Sequence, residues 1–132
     1  VTFLDKKRVM IIDDEEGFAL MLKVRLERVG NYEVMVLSDA KDAIKDVHDF
    51  QPDVILLDLI MPKVHGLDVR DMLGDDPVAK EIPVIIVSGI DQSMDKAQAY
   101  KFGAVDYIVK PVDDARLLDA VEKAINPKPG QS

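Results

Sequence analysis

Asp58 ends the apolar run Val54-Ile55-Leu56-Leu57 and is followed at once by Leu59-Ile60-Met61-Pro62. A carboxylate at the tip of a strand bound for the interior is costly unless a partner or a task offsets its desolvation. Three other apolar runs end in the same way: Val9 to Ile12 in Asp13-Asp14, Val84 to Val87 in Ser88, and Tyr107 to Val109 in Lys110. Brought together, three carboxylates repel one another unless a cation sits among them. Their hard oxygens suit Mg²⁺, which takes few protein ligands and keeps several waters. Lys110 offers an ammonium and Ser88 a hydroxyl at the same strand ends. Two carboxylates for a metal, one free as nucleophile, and a lysine and a hydroxyl for phosphoryl oxygens make the equipment for phosphoryl transfer to aspartate. Taken singly, each residue has a plainer role. Asp13-Asp14-Glu15-Glu16 suits an acidic helix N-terminus, Asp58 a turn, Ser88 a cap and Lys110 a surface charge. Their recurrence at four strand ends favours a shared site.

The elements that position these residues follow from the spacing of apolar side chains. Short β-branched runs alternate with longer helical patterns, the mark of stacked βαβ units. The strands are Val9–Ile12, Tyr32–Leu37, Val54–Leu57, a fourth entered at Pro83, and Tyr107–Val109; the second alternates enough to be less deeply buried than its neighbours. Glu15 to Val29 reads as a helix with Phe18, Leu22, Leu26 and Val29 on one face, stopped by Gly30-Asn31. Ser38 is placed to N-cap the next helix, which carries Ala40, Ala43, Ile44 and Val47. Gly66 opens a third helix through Leu73, Met94 to Phe102 forms a fourth with Gly103 just past its end, and Asp113 to Ile125 forms a fifth. Apolar strands covered on both faces by helices require a mainly parallel sheet, an α/β doubly wound fold. Right-handed crossovers then place every strand's C-terminal end on one edge, where such sheets bind their ligands. Asp13, Asp14, Asp58, Ser88 and Lys110 are therefore expected to converge.

Composition narrows the partners. Asp and Glu outnumber Lys and Arg by 25 to 17, and the formal net charge of -8 argues against attraction to nucleic acid or an anionic membrane. The absence of cysteine removes disulfides and thiolate metal sites. His48 and His65 stand alone and read as solvated surface side chains. No apolar run approaches the roughly 20 residues of a membrane span, and no signal-peptide pattern opens the chain; a cytoplasmic location is expected. At 132 residues a single domain is expected over residues 7–125, with 1–6 as a leader and 126–132 as a tail or the start of a linker.

Four stretches together resemble the receiver domain of two-component response regulators. They are Val9 to Glu15, Asp53 to Pro62 with Gly66, Val87-Ser88-Gly89, and Gly103 to Pro111. The resemblance implies a flavodoxin-like (βα)5 fold with strand order 2-1-3-4-5. It implies that Asp58 accepts a phosphoryl group from a phosphohistidine on a histidine kinase or histidine phosphotransfer protein. Asp13, Asp14, Asp58 and the backbone carbonyl of Ile60 would hold Mg²⁺. Lys110, joined to Pro111 by a cis peptide, would contact the phosphoryl group. Ser88 would move to bond a phosphoryl oxygen while Tyr107 turns inward, a two-state switch read on the fourth helix, fifth strand and fifth helix by an output domain or protein. Plain packing of a tyrosine on a short edge strand is the competing role for Tyr107. That same face is open to homodimerisation, although its helices carry no decisive pattern. Two alternatives stand beside this reading: a receiver-like interaction domain that is never phosphorylated, and an aspartate-based Mg²⁺ phosphohydrolase. Against the latter, Glu15 stands two residues after Asp13, where haloacid dehalogenase-type enzymes carry a second Asp.

Three positions depart from the commonest receiver pattern: Ser88 for Thr, Gly89 for Ala, and Val112 for an aromatic. None removes a functional group. Ile60 and Ile90 flank the expected site and cannot orient an attacking water, so phosphorylated Asp58 is expected to hydrolyse slowly. Phosphate release is therefore expected to quicken in Ile60→Asn and in Ile90→Glu; unchanged or slower release in both, followed by intact mass over time, would refute it.

Overall fold

The computed structural model describes residues 6–59, 66–89, 96–101 and 103–127. Within them lie five strands, β1 (Arg8–Ile12), β2 (Glu33–Leu37), β3 (Val54–Leu57), β4 (Val84–Ser88) and β5 (Asp106–Val109). Five helices alternate with them: α1 (Glu16–Arg28), α2 (Ala43–Phe50), α3 (Gly66–Asp75), α4 (Lys96–Lys101) and α5 (Asp114–Ile125), with a 3-10 turn at Ala79–Glu81. All four strand pairings are parallel and the order is β2-β1-β3-β4-β5. Sheet, order and helix count match expectation. The central strands β1, β3 and β4 are buried nearly throughout, and β2, at the edge, is the least covered.

Alternation along each strand divides the core in two. Met10, Ile12, Ile55, Leu57, Ile86 and Tyr107 face α2 and α3 through Ala43, Val47, Val69 and Leu73. Val9, Ile11, Leu56, Val87 and Ile108 face α1 and α5 through Leu22, Leu26, Leu117 and Val121. One sheet thus serves two apolar layers, which is why its strands read as unbroken hydrophobic runs.

Several local expectations are corrected. Ser38 does not cap α2, which begins only at Ala43; ahead of it the Asp39 carboxylate accepts a hydrogen bond from the Lys41 N–H (2.9 Å) and turns the chain. Val29 lies past the last turn of α1 and is exposed rather than inward. Asn31 supplies the left-handed conformation after α1 (φ 57°), while at the end of α4 it is Gly103 (φ 86°), as expected. The Arg70 guanidinium of α3 lies beside Gly103, and it is the positive φ that favours glycine there. Met94 and Phe102, the expected limits of the fourth helix, lie outside the described residues. His48 is at the surface but not merely solvated. Its Nε2 is 2.9 Å from the carboxylate of Asp76, tying α2 to the segment after α3.

Asp76 also accepts hydrogen bonds from the N–H groups of Ala79 (2.8 Å) and Val78 (3.0 Å), closing the 3-10 turn that leads into β4. The Ala79 N–H first, then the His48 ring and the Val78 N–H, hold the Asp76 carboxyl below its usual value, outweighing the opposite effect of burial. A depressed folded-state pKa gives stability that is present above the unfolded value and lost as pH falls through the folded one. Asp76→Asn is therefore expected to lower the urea midpoint near neutral pH, with the gap to wild type closing below about pH 4. A gap that widens on acidification would refute the assignment.

Candidate functional site

The parallel register brings the polar strand ends together. Ile12 lies beside Leu57, and Leu57 beside Ile86, so the residues that follow leave the sheet on one edge. The Asp13 N–H donates to the Leu37 carbonyl (3.0 Å) and the Asp58 N–H to the Ile12 carbonyl (3.0 Å), extending the ladder past the last paired strand residues. On the far side the Lys110 N–H donates to the Ser88 carbonyl (2.8 Å), and the Lys110–Pro111 peptide is cis, as the resemblance implied.

Carboxylate oxygens of Asp13, Asp14 and Asp58 lie within 4.8 Å of one another. Asp13 and Asp58 are each only 2% exposed, and Ser88 1%. The Asp13 Oδ1 accepts from the Glu15 N–H (2.8 Å), which fixes its carboxylate. Asp14 Oδ1 is buried without a hydrogen-bond partner. A buried, unsatisfied oxygen on one of three neighbouring carboxylates is a demand that a hard divalent cation would meet. The donor set therefore fits Mg²⁺. The backbone carbonyl of Ile60, the fourth expected ligand, lies outside the described residues, as do Ile90 and His65.

Lys110 provides the positive charge. Its Nζ is 2.9 Å from Asp13 Oδ2, 2.8 Å from Glu15 Oε1 and 3.6 Å from Asp58 Oδ2. Burial alone would lower the pKa of this ammonium; hydrogen bonds to Glu15 and Asp13 and the charges of Asp13 and Asp58 outweigh it and hold the group above its usual value. Ser88 Oγ donates to Asp58 Oδ1 at 3.2 Å. Asp58 thus meets a hydroxyl on one oxygen and an ammonium near the other. Tyr107 sits opposite Ile86, two residues before the register position of Ser88, and is only 6% exposed. It belongs to the apolar layer that also holds Ile86, Leu57 and Leu59.

Two contacts of this site escaped the reading of residue types. Glu15 read as part of an acidic helix start, yet it reaches Lys110 across the edge. Phe18 read as core, and its ring centroid is 4.3 Å from Lys110 Nζ, a cation–π distance. The available signal was their spacing: three apart at the start of α1, they share a face directly after Asp13-Asp14. Behind the site, Arg116 grips Asp106 through both terminal nitrogens (2.8 and 2.7 Å), and Arg25 pairs with Asp114. These pairs join β5 to α5 and α1 to α5, and so hold the elements that carry Tyr107, Lys110 and Glu15.

The response regulator receiver domain family matches residues 9–122. The chain is 34% identical over 119 residues to the alkaline phosphatase synthesis transcriptional regulatory protein PhoP of Bacillus subtilis, covering 90% of this chain and 48% of that protein. Over 119 residues it is also 34% identical to the chemotaxis protein CheY of Thermotoga maritima, covering 89% of this chain and 96% of CheY. The crystal structure of a response regulator receiver domain from Bermanella marisrubri overlays with a TM-score of 0.82 at 34% identity, covering 92% of this chain and 100% of that one. The chain spans about half the length of PhoP.

Because Lys110 and a metal ion would share Asp13 and Asp58, Lys110→Met is expected to tighten Mg²⁺ binding by the unphosphorylated protein several-fold. Asp14→Asn, which removes one carboxylate charge, is expected to weaken it. Isothermal titration of the two variants would refute the assignment if both affinities matched wild type.

Proposed function

This chain belongs to the response regulator receiver domains of two-component systems, and from that membership we propose that Asp58 is the phosphoacceptor of a signalling switch. The observation that carries the reading is the buried Asp58 carboxylate, with the Ser88 hydroxyl at 3.2 Å and the Lys110 ammonium at 3.6 Å. In the proposed transfer an oxygen of Asp58 attacks the phosphorus of a phosphohistidine on a histidine kinase or phosphotransfer protein. The O–P bond forms, the P–N bond breaks, and its electron pair stays on the imidazole nitrogen. Asp13, Asp14 and Asp58, with the Ile60 carbonyl as the resemblance implies, would hold Mg²⁺, which would supply charge neutralisation for the phosphoryl oxygens. The chain's own contribution is positioning: the sheet edge fixes the nucleophile, and Lys110 and Ser88 stand where a phosphoryl group on Asp58 needs a cation and a donor.

The output follows from the same contacts. Ser88 gives up Asp58 Oδ1 for a phosphoryl oxygen, and Lys110 re-aims toward the new dianion. These local changes bias the packing of Tyr107 and the face formed by α4, β5 and α5. Tyr100, Val105 and Val109 are exposed on that side and suit an output domain, an output protein or a second copy. The domain proper is residues 7–125. Among the described residues no helix is long and apolar enough to cross a membrane, and a cytoplasmic setting belongs to the same reading.

Intact mass measured after incubation with Mg²⁺ and acetyl phosphate tests the proposal. One phosphoryl adduct is expected on wild type, and none on Asp58→Asn or in the presence of chelator. Turnover of added phosphate esters without an adduct would favour a phosphohydrolase instead, and neither outcome would leave an interaction domain that is never phosphorylated.

A further inference from the structure

We propose that Glu15 is a positioning residue that tethers Lys110 away from Asp58 in the unphosphorylated protein and so slows phosphorylation; this rests on Asp58 being the phosphoacceptor. Glu15 occupies the N-cap position of α1, yet its side chain makes no capping hydrogen bond. It extends instead to Lys110, 95 residues further along the chain, at 2.8 Å. Phe18, on the same turn, places its ring 4.3 Å from the same ammonium. Both groups draw Lys110 toward α1. Asp13 holds it at 2.9 Å, while Asp58 is left at 3.6 Å, beyond a good hydrogen bond.

A phosphoryl group on Asp58 changes that competition. The new dianion needs the ammonium, and Lys110 must loosen its hold on Glu15 to reach it. The carboxylate of Glu15 also repels the incoming phosphoryl group directly. Both effects have the same sign: the charge of Glu15 favours the unphosphorylated state. The Lys110 side chain is 12% exposed and that of Glu15 61%, so one end of this pair is open to screening by salt. The Asp13 side chain, at 3%, is not. An ion pair with one exposed partner is a modest brake rather than a lock.

The test compares initial rates of phosphorylation by acetyl phosphate at Mg²⁺ concentrations shown by titration to saturate each variant. In that reaction an Asp58 oxygen bonds phosphorus, and the donor's P–O bond breaks with its electron pair leaving on acetate. At low ionic strength Glu15→Gln is expected to react about two- to fivefold faster than wild type. The gain should fade toward 1 M salt, where the Debye length is about 3 Å. Glu15→Asp, which keeps the charge but draws it back by one methylene from Lys110, should fall between wild type and Glu15→Gln. A Glu15→Gln rate equal to or below wild type at low salt overturns the tether, as does a gain that salt leaves undiminished. If wild type forms the adduct and Glu15→Gln matches it, the tether alone fails. If wild type forms no adduct at all, the phosphoacceptor reading fails and the tether with it.

Discussion

Carboxylates of Asp13, Asp14 and Asp58 crowd one buried edge within 4.8 Å, and Lys110 is the cation that makes this crowding tolerable. In a partly desolvated setting, like charges this close raise one another's energy steeply, and a paired ammonium offsets the cost. The balance is incomplete: one oxygen of Asp14 keeps an unmet demand. Among the described residues this edge carries more carboxylates than its lysine can neutralise, and a divalent cation could offset the remainder. The rest of the molecule serves this arrangement. Backbone hydrogen bonds beyond the strand ends hold the acids in register, and the Arg116–Asp106 pair fixes the strand that delivers Lys110.

A parallel sheet makes such an edge possible because every strand arrives from the same side. Side chains far apart in sequence then meet without any loop having to fold over them. The same geometry separates two apolar layers, so Ser88 and Tyr107, in neighbouring strands, lie at the junction of the site and the layer beneath α2 and α3. A change in the direction of the Ser88 hydroxyl therefore lies one strand away from a buried aromatic ring. In the proposed switch, that proximity would be the route from a charge event into packing.

Much of this was legible in the residues. Strands buried on both faces must be apolar throughout, which made Val9–Ile12, Val54–Leu57 and Val84–Val87 plain, and made the polar groups closing them conspicuous. The strand order was a different matter: it entered with the family resemblance, since periodicity does not fix which strands are neighbours. Ser38 misled because a serine before an apolar run suits a cap wherever it falls, and here an Asp39 turn intervenes before α2. Val29 misled because helical spacing continues on paper after the backbone has stopped turning. Glu15 and Phe18 were seen but given the wrong company. A charge at a helix start and an aromatic on a helix face each have a complete local explanation, and only the fold shows that both meet a lysine from the opposite end of the chain.

The two edges of the sheet carry one further consequence. β2 begins with Glu33, ion-paired to Arg8, and β5 is only four residues long, with its first residue, Asp106, clamped by Arg116. Short strands flanked by committed charges make poor templates for another chain's backbone. Contacts through side chains are thereby favoured over prolongation of the sheet at either edge. Edges of this kind disfavour the open-ended strand addition that builds fibrils.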